Sequence, residues 1–265
     1  VVLGSFFATA LIYRNQYVAE APAVVQDNLS LDNLLELQGS NVYVGPALDQ
    51  LRAEQIPSGQ TGKIRAMVDP ATFYAGRVSR SFTADPGGSK TADLTRHIDH
   101  DKKAIASVTN ELYLDYGVGL ATVNTPKAQG AAGFLGRKGV IKLSNVDISM
   151  KNDYGTVLVV PLDDRPLAQS DRILIQCMTI DQFYNWQTSA ADNLSGTIRN
   201  LGSSPFSVQK IDVVVTLRLP GRPPKKAAAC DENAYPKDKH TEITTTSAGT
   251  TIRINESTPY TVILR

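Results

Sequence analysis

Histidine is scarce in this chain, three residues in 265, and two of the three fall in one polar stretch, DLTRHIDHDKK, residues 93–103. His97, Asp99, His100 and Asp101 bring imidazole nitrogens and carboxylate oxygens within a few residues of each other. That donor set could hold a divalent metal, and Asp99 and Asp101 alone could serve calcium as hard-oxygen ligands. The chain would then be a small metal-dependent enzyme. The same residues also suit a solvated loop whose aspartates cap backbone N–H groups and pair with nearby lysines. The third histidine, His240, lies far away in another polar loop.

Other chemistries find fewer footholds. There is no Gly-x-Ser-x-Gly elbow and no Cys–His pairing. DPGGSK, residues 85–90, has glycines and a lysine but not the strand–loop–helix setting or the full spacing of a phosphate loop. Glycoside hydrolysis needs two carboxylates at a set separation, and Glu111, Asp115, Asp153, Asp163, Asp164 and Asp171 are candidates that sequence cannot bring together. In ELYLDYG, residues 111–117, alternation sets Glu111, Tyr113 and Asp115 on one strand face and Leu112, Leu114 and Tyr116 on the other. Asp115, just before YGVG, reads as a turn former. Aromatics make up 7% of the chain, so FYNWQ, residues 183–187, stands out. Tyr184 and Trp186 there, with Tyr113, could stack on sugar rings through their faces and offer a polar edge. Trp186 could equally cover the end of a hydrophobic core.

The elements that must position these groups change character along the chain. VVLGSFFATALIYRNQYV opens it as a helix apolar almost all round, of the kind a larger body buries; the chain reads as beginning mid-protein. The run is too short and interrupted to span a membrane, and it lacks the basic flank of a signal peptide. Val24 and Val25 suggest a short extended piece. Ser30 then caps an expected helix, SLDNLLEL, stopped by Gly39, and a second helix is expected at 46–55. From about residue 60, short apolar runs alternate with Gly, Pro, Asn and Asp, the mark of a sandwich or barrel. In VQKIDVVVTLRL the residues Ile211, Val213, Val215, Leu217 and Leu219 share a face. The expected fold is mostly β, antiparallel β-sandwiches preceded by a short helical segment. The expected domains are 1–58, helical, and 59–265, β-sandwich, with 205–265 completing a second sheet or a small subdomain.

Net charge is +1, which argues against a nucleic-acid surface; the basic RPPKK cluster, 222–226, reads as a loop. Cys177 sits in the apolar strand RILIQCMTI and reads as a buried thiol. A bridge from it to Cys230 is left open by sequence.

NELYLDYGVGLATVNTPKAQGAAGFLG, residues 110–136, followed by LSNVDISMKNDYGTVLVVPLDDRPLAQSDRILIQCMT, resembles the C-terminal β-rich region of bacterial cellulase-like glycoside hydrolases of the retaining (β/α)8-barrel clan. ATALIYRNQYVAEAPAVV resembles the last barrel helix and its exit, and the segments from 196 onward resemble closing sandwich strands. The resemblance implies a non-catalytic portion that packs on a catalytic barrel, joined covalently or not, and contacts a glucan or other polysaccharide. A free-standing carbohydrate-binding protein is the alternative. The catalytic glutamates of such enzymes would lie upstream of Val1, so no catalytic residue is carried over. It implies an extracellular or periplasmic bacterial location. Neither a cofactor nor a nucleic-acid or membrane partner is expected.

Overall fold

The computed structural model describes residues 6–31, 35, 40–42, 65–69, 71–83, 90–189, 196–231, 233–254 and 259–265. Internal contacts divide the chain into two compact units, one of residues 1–18 with 118–265 and one of residues 19–117; neither junction coincides with residue 58. The chain is mostly β, with antiparallel sheets and a short N-terminal helix, α1 (Phe6–Arg14). Among the described residues no helix is long and apolar enough to cross a membrane. Of the expected helix after Ser30, only Leu31 and Leu35 are described, both helical and exposed; the helix expected at 46–55 and residues Val2 and Leu3 lie outside the described residues.

The 19–117 unit contains β1 (Ala23–Leu29), β2 (Ser40–Val42), β3 (Arg65–Val68), α2 (Thr72–Ala75), β4 (Arg77–Phe82), β5 (Lys90–Thr91), β6 (Ile98–Asp99), β7 (Ala104–Ala106) and β8 (Leu112–Asp115). Strand β1 runs parallel to β4 and antiparallel to β5, and β2 is parallel to β3. These parallel pairs depart from the antiparallel expectation; the long connections between partners make them sterically accessible. Strands β6, β7 and β8 pair as successive antiparallel hairpins. A small core of Val24, Ala71, Ala75, Leu94 and Ile105, flanked by Ile98, Val108 and Leu114, holds this unit together.

The other unit continues with β9 (Leu120–Asn124), β10 (Gln129–Gly133), α3 (Leu135–Lys138), β11 (Val140–Lys142), β12 (Val146–Met150), β13 (Gly155–Pro161), β14 (Arg172–Met178), β15 (Asp181–Tyr184), β16 (Gln187–Thr188), β17 (Ile198–Asn200), β18 (Ser203–Val208), β19 (Val213–Leu217), β20 (Lys226–Cys230), β21 (Pro236–His240), β22 (Glu242–Thr246), β23 (Gly249–Ile254) and β24 (Tyr260–Leu264). One sheet runs in the order β21-β20-β24-β14-β13-β10-β9, the other β11-β12-β19-β23-β22. Val157, Val159, Ile173 and Ile175 of the first interdigitate with Ile148, Val213, Val215 and Ile252 of the second. This is a β-sandwich, and the period-two pattern at 211–219 points into it: Ile211, Val213, Val215 and Leu217 are buried and Leu219 packs at its margin.

The opposite face of the first sheet carries a second apolar layer. There Ala8, Leu11 and Ile12 of α1, with Tyr17, meet Val160, Leu174, Cys230 and Tyr260. The helix is therefore one-sided rather than enclosed, since Tyr13 faces outward and Phe7, edge-on to Tyr260 at 5.2 Å, stays partly exposed. Gln176, fully buried on that sheet face, accepts the Ala8 N–H through Oε1 at 2.8 Å and so caps the first turn of the helix from the sheet.

The two cysteines lie on opposite faces of this sheet, Cys177 in the sandwich core and Cys230 under α1, and both are free thiols. Burial raises the Cys177 thiol far above its ordinary range; burial and the neighbouring Asp231 charge raise Cys230. A raised thiol stays protonated and is a poor nucleophile at neutral pH. Native protein should therefore leave both thiols unreacted in a DTNB assay at pH 7.5, with two equivalents appearing on unfolding in guanidinium; rapid native labelling would contradict this burial.

Within the small-residue run at 128–136, Gln129–Gly133 form β10 and Leu135 opens α3. Strand β10 lies between β9 and β13, and the reversal from β9 falls at Thr125–Ala128. Thr125 N–H donates to the Ala128 carbonyl at 2.8 Å, its Oγ1 accepts from the Ala128 and Lys127 N–H groups, and Pro126, free of ladder duty, offers its carbonyl to Leu167 N–H. Gln129, wholly buried, donates through Nε2 to the Thr125 carbonyl and to Asn145 Oδ1, and accepts the Asn145 N–H at 2.7 Å through Oε1. Asn145 Nδ2 donates in turn to the Arg218 carbonyl, tying β10 of one sheet to the β11–β12 turn and β19 of the other.

Candidate functional site

The stretch at 93–103 forms the turn before β6, β6 itself and the β6–β7 turn. Its carboxylates are largely committed to backbone. Asp93 accepts the Thr95 N–H at 3.0 Å, and Asp99 accepts the Lys102 N–H and Nζ, both at 2.9 Å. Those hydrogen bonds hold both carboxyls below their ordinary range. His97 Nδ1 is buried without a hydrogen-bond partner. Asp101 is exposed in the turn. Among the described residues no group of three or more His, Cys, Asp or Glu side chains converges as a metal site would require.

His100 instead joins two residues that spacing did not single out together. Its Nε2 lies 2.6 Å from Asp69 Oδ2, and its Nδ1 lies 3.2 Å from the Tyr116 hydroxyl. Asp69 is fixed by two backbone N–H groups, Ala71 to Oδ1 at 2.8 Å and Thr72 to its carbonyl at 2.9 Å. The backbone after β8 is tied to the β6–β7 turn, because Tyr116 N–H donates to the Lys103 carbonyl and Lys103 N–H to the His100 carbonyl. With the Asp69 carboxylate accepting from Nε2–H, Nδ1 is left to accept from the tyrosine. Asp69 lies 31 residues before His100, and Tyr116 lies 16 after it; no local periodicity links such positions.

Strand β8 does not alternate as expected. Asp115 is buried and Leu112 exposed, while Leu114 joins the unit's core. Tyr113, exposed on β8, pairs in register with Ala106. It belongs to the 19–117 unit, whereas Tyr184 and Trp186 belong to the other.

Those two aromatics sit on a ribbon formed by β15 with β18 and β16 with β17. Asn185, at φ 63°, turns the chain between them, and the Trp186 N–H closes the turn onto the Phe183 carbonyl at 3.1 Å. Gly202 makes the close approach possible: at φ +72°, a Cβ there would overlap the Tyr184 carbonyl oxygen. Phe183 and Phe206 stack at 4.3 Å across the ribbon. Tyr184 is 57% exposed and Trp186 half-buried, so each presents ring surface to solvent. Ile198, Leu201 and Phe206 are also exposed on this ribbon.

A cleft of about 530 Å3 opens between Leu217–Pro223 and the β22–β23 turn, with Leu219, Pro220 and Pro223 against Thr245, Thr246 and Ser247. Arg218 at its wall is held by Asp147 and by the Leu143 and Ser144 carbonyls.

Comparison with protein-family models, with curated proteins and with solved structures finds no match for this chain.

Proposed function

We propose that the chain is a β-sandwich portion of a glycoside hydrolase, non-catalytic toward the glycosidic bond, packing on a catalytic barrel and contacting polysaccharide through the β15–β18 ribbon. The observation that supports this reading is the aromatic arrangement at 183–186, where Tyr184 and Trp186 flank a turn braced by the Phe183–Phe206 stack. Aromatic side chains suit the apolar C–H faces of pyranose rings, and a tyrosine hydroxyl and an indole N–H can bond sugar hydroxyls. The reading carries with it an extracellular or periplasmic location. Affinity electrophoresis through gels containing soluble glucans, with pull-down on insoluble ones, tests it. Wild-type protein should be retarded, and Tyr184→Ala or Trp186→Ala should each weaken binding by about tenfold, the order of one lost stacking contact. Migration unaffected by every glycan would remove the carbohydrate role.

A further inference from the structure

We propose that Tyr116, His100 and Asp69 form an acyl-accepting centre in which the Tyr116 hydroxyl is the nucleophile, His100 its general base and Asp69 the positioning residue. The three side chains meet the geometric signature of an activated nucleophile: nucleophile to base 3.2 Å, base to orienting carboxylate 2.6 Å. The Ala71 N–H fixes the Asp69 carboxylate, and main-chain hydrogen bonds through Lys103 hold the backbones at His100 and Tyr116 in place. The ligand class is an ester of a small carboxylic acid with a good leaving group.

The step balances as follows. Nδ1 takes the Tyr116 Oη proton as Oη attacks the acyl carbon, forming a new C–O bond. The bond from the acyl carbon to the leaving oxygen breaks, and that oxygen departs with the proton from Nδ1. The products are O-acyl-tyrosine and the free alcohol or phenol. Water activated by the same Nδ1 cleaves the acyl-tyrosine to carboxylic acid and regenerates the hydroxyl. Asp69 accepts from Nε2–H throughout and keeps the lone pair on Nδ1. Of the charged groups on the same hairpin, Asp101, Lys102 and Lys103 are exposed and Asp99 is half-buried, and the Asp99–Lys102 pair is closed on itself.

The full chain is treated with p-nitrophenyl acetate, and acetylated tyrosines are quantified by peptide mass spectrometry. Tyr116 is 40% exposed, less than Tyr13 at 87%, Tyr235 at 70% or Tyr74 at 63%. Accessibility alone therefore ranks it behind them. The expected result is acetylation of Tyr116 about tenfold or more faster than those three, a modest share of what a positioned general base supplies. His100→Gln should bring Tyr116 down to the level of the others. Asp69→Asn keeps an oxygen for the Ala71 N–H but presents an N–H to His100, which forces the opposite tautomer and should remove the same advantage; Asp69→Glu should restore part of it. Tyr116→Phe should lose only the label at 116, with the circular dichroism spectrum unchanged. Equal labelling of all exposed tyrosines overturns the proposal, as does fast Tyr116 labelling in His100→Gln. Release of p-nitrophenol that continues undiminished in Tyr116→Phe also overturns it, because His100 would then act on water or react itself.

Discussion

Gly130→Val should destabilise the sandwich unit by about 3 kcal/mol or more, in the range of severe overpacking. Gly130 lies mid-strand in β10, opposite Val123 on one side and Leu158 on the other. A Cβ at that position would overlap the Val157 carbonyl oxygen and stand 2.8 Å from Leu158 Cδ2 and 3.0 Å from Leu158 Cα. Two of these atoms are backbone in a paired strand, so relief requires β10 and β13 to separate, and that breaks their ladder. The overpacking loss is compounded by the weight that an interior strand carries. Urea unfolding followed by circular dichroism reads the effect as a fall in midpoint at constant slope. A loss below about 1 kcal/mol would show that β10 and β13 have room to part.

Gln129→Leu is the second large effect expected, again about 3 kcal/mol. The side chain is wholly buried and makes three hydrogen bonds. Leucine fills a similar volume but leaves the Thr125 carbonyl, Asn145 Oδ1 and Asn145 N–H without that partner. Desolvated groups stranded in this way cost more than an ordinary hydrogen bond contributes. Gln129→Glu separates polarity from shape. An ionised carboxylate still accepts from Asn145 N–H, but it sets a second oxygen against two acceptors. Burial and those acceptors raise its folded-state pKa above that in the unfolded chain. A raised carboxyl favours the folded state below its unfolded value, and that benefit is lost as pH rises through the folded one. The deficit of the Glu variant relative to wild type should therefore be largest at pH 7 and narrow toward pH 4, as read from paired urea curves.

Both substitutions fall in AQGAAGFLG, the stretch where sequence and structure part most clearly. Its lack of large side chains hides a strand, because the usual signal of β-structure is a row of bulky alternating residues. What the glycines reflect is proximity: at Gly133, φ 125°, a Cβ would overlap the Gly119 carbonyl oxygen. By contrast, 211–219 was legible because its alternation is driven by one buried face, a local pattern. Helix α1 was legible as a helix but not in its burial, since FFATALIYR carries apolar residues toward solvent as well as toward the sheet. The candidate sites divide in the same way. Tyr184 and Trp186 are neighbours in sequence and could be read there. The Asp69–His100–Tyr116 contact depends on bringing residues from beyond β3, from the β6–β7 turn and from the end of β8 to one place, and no spacing rule encodes that.

The division of the chain has a consequence for how it is made. The sandwich is assembled from residues 1–18 and 118–265, with 19–117 set between them as a separate body. Emerging from a ribosome, α1 appears before the sheet it rests on; its partners β13 and β14 follow only after the whole intervening body. That body is complete by Gly117 and can fold while its host is still being synthesised. Strand β24, residues 260–264, fills the gap between β20 and β14 rather than adding to an edge. Until it is in place, β14 and β20 each expose an unpaired side. The order of synthesis thus runs against the order of closure: α1 waits for strands that follow a whole intervening body, and the sheet is sealed from within by β24, made after both of its neighbours.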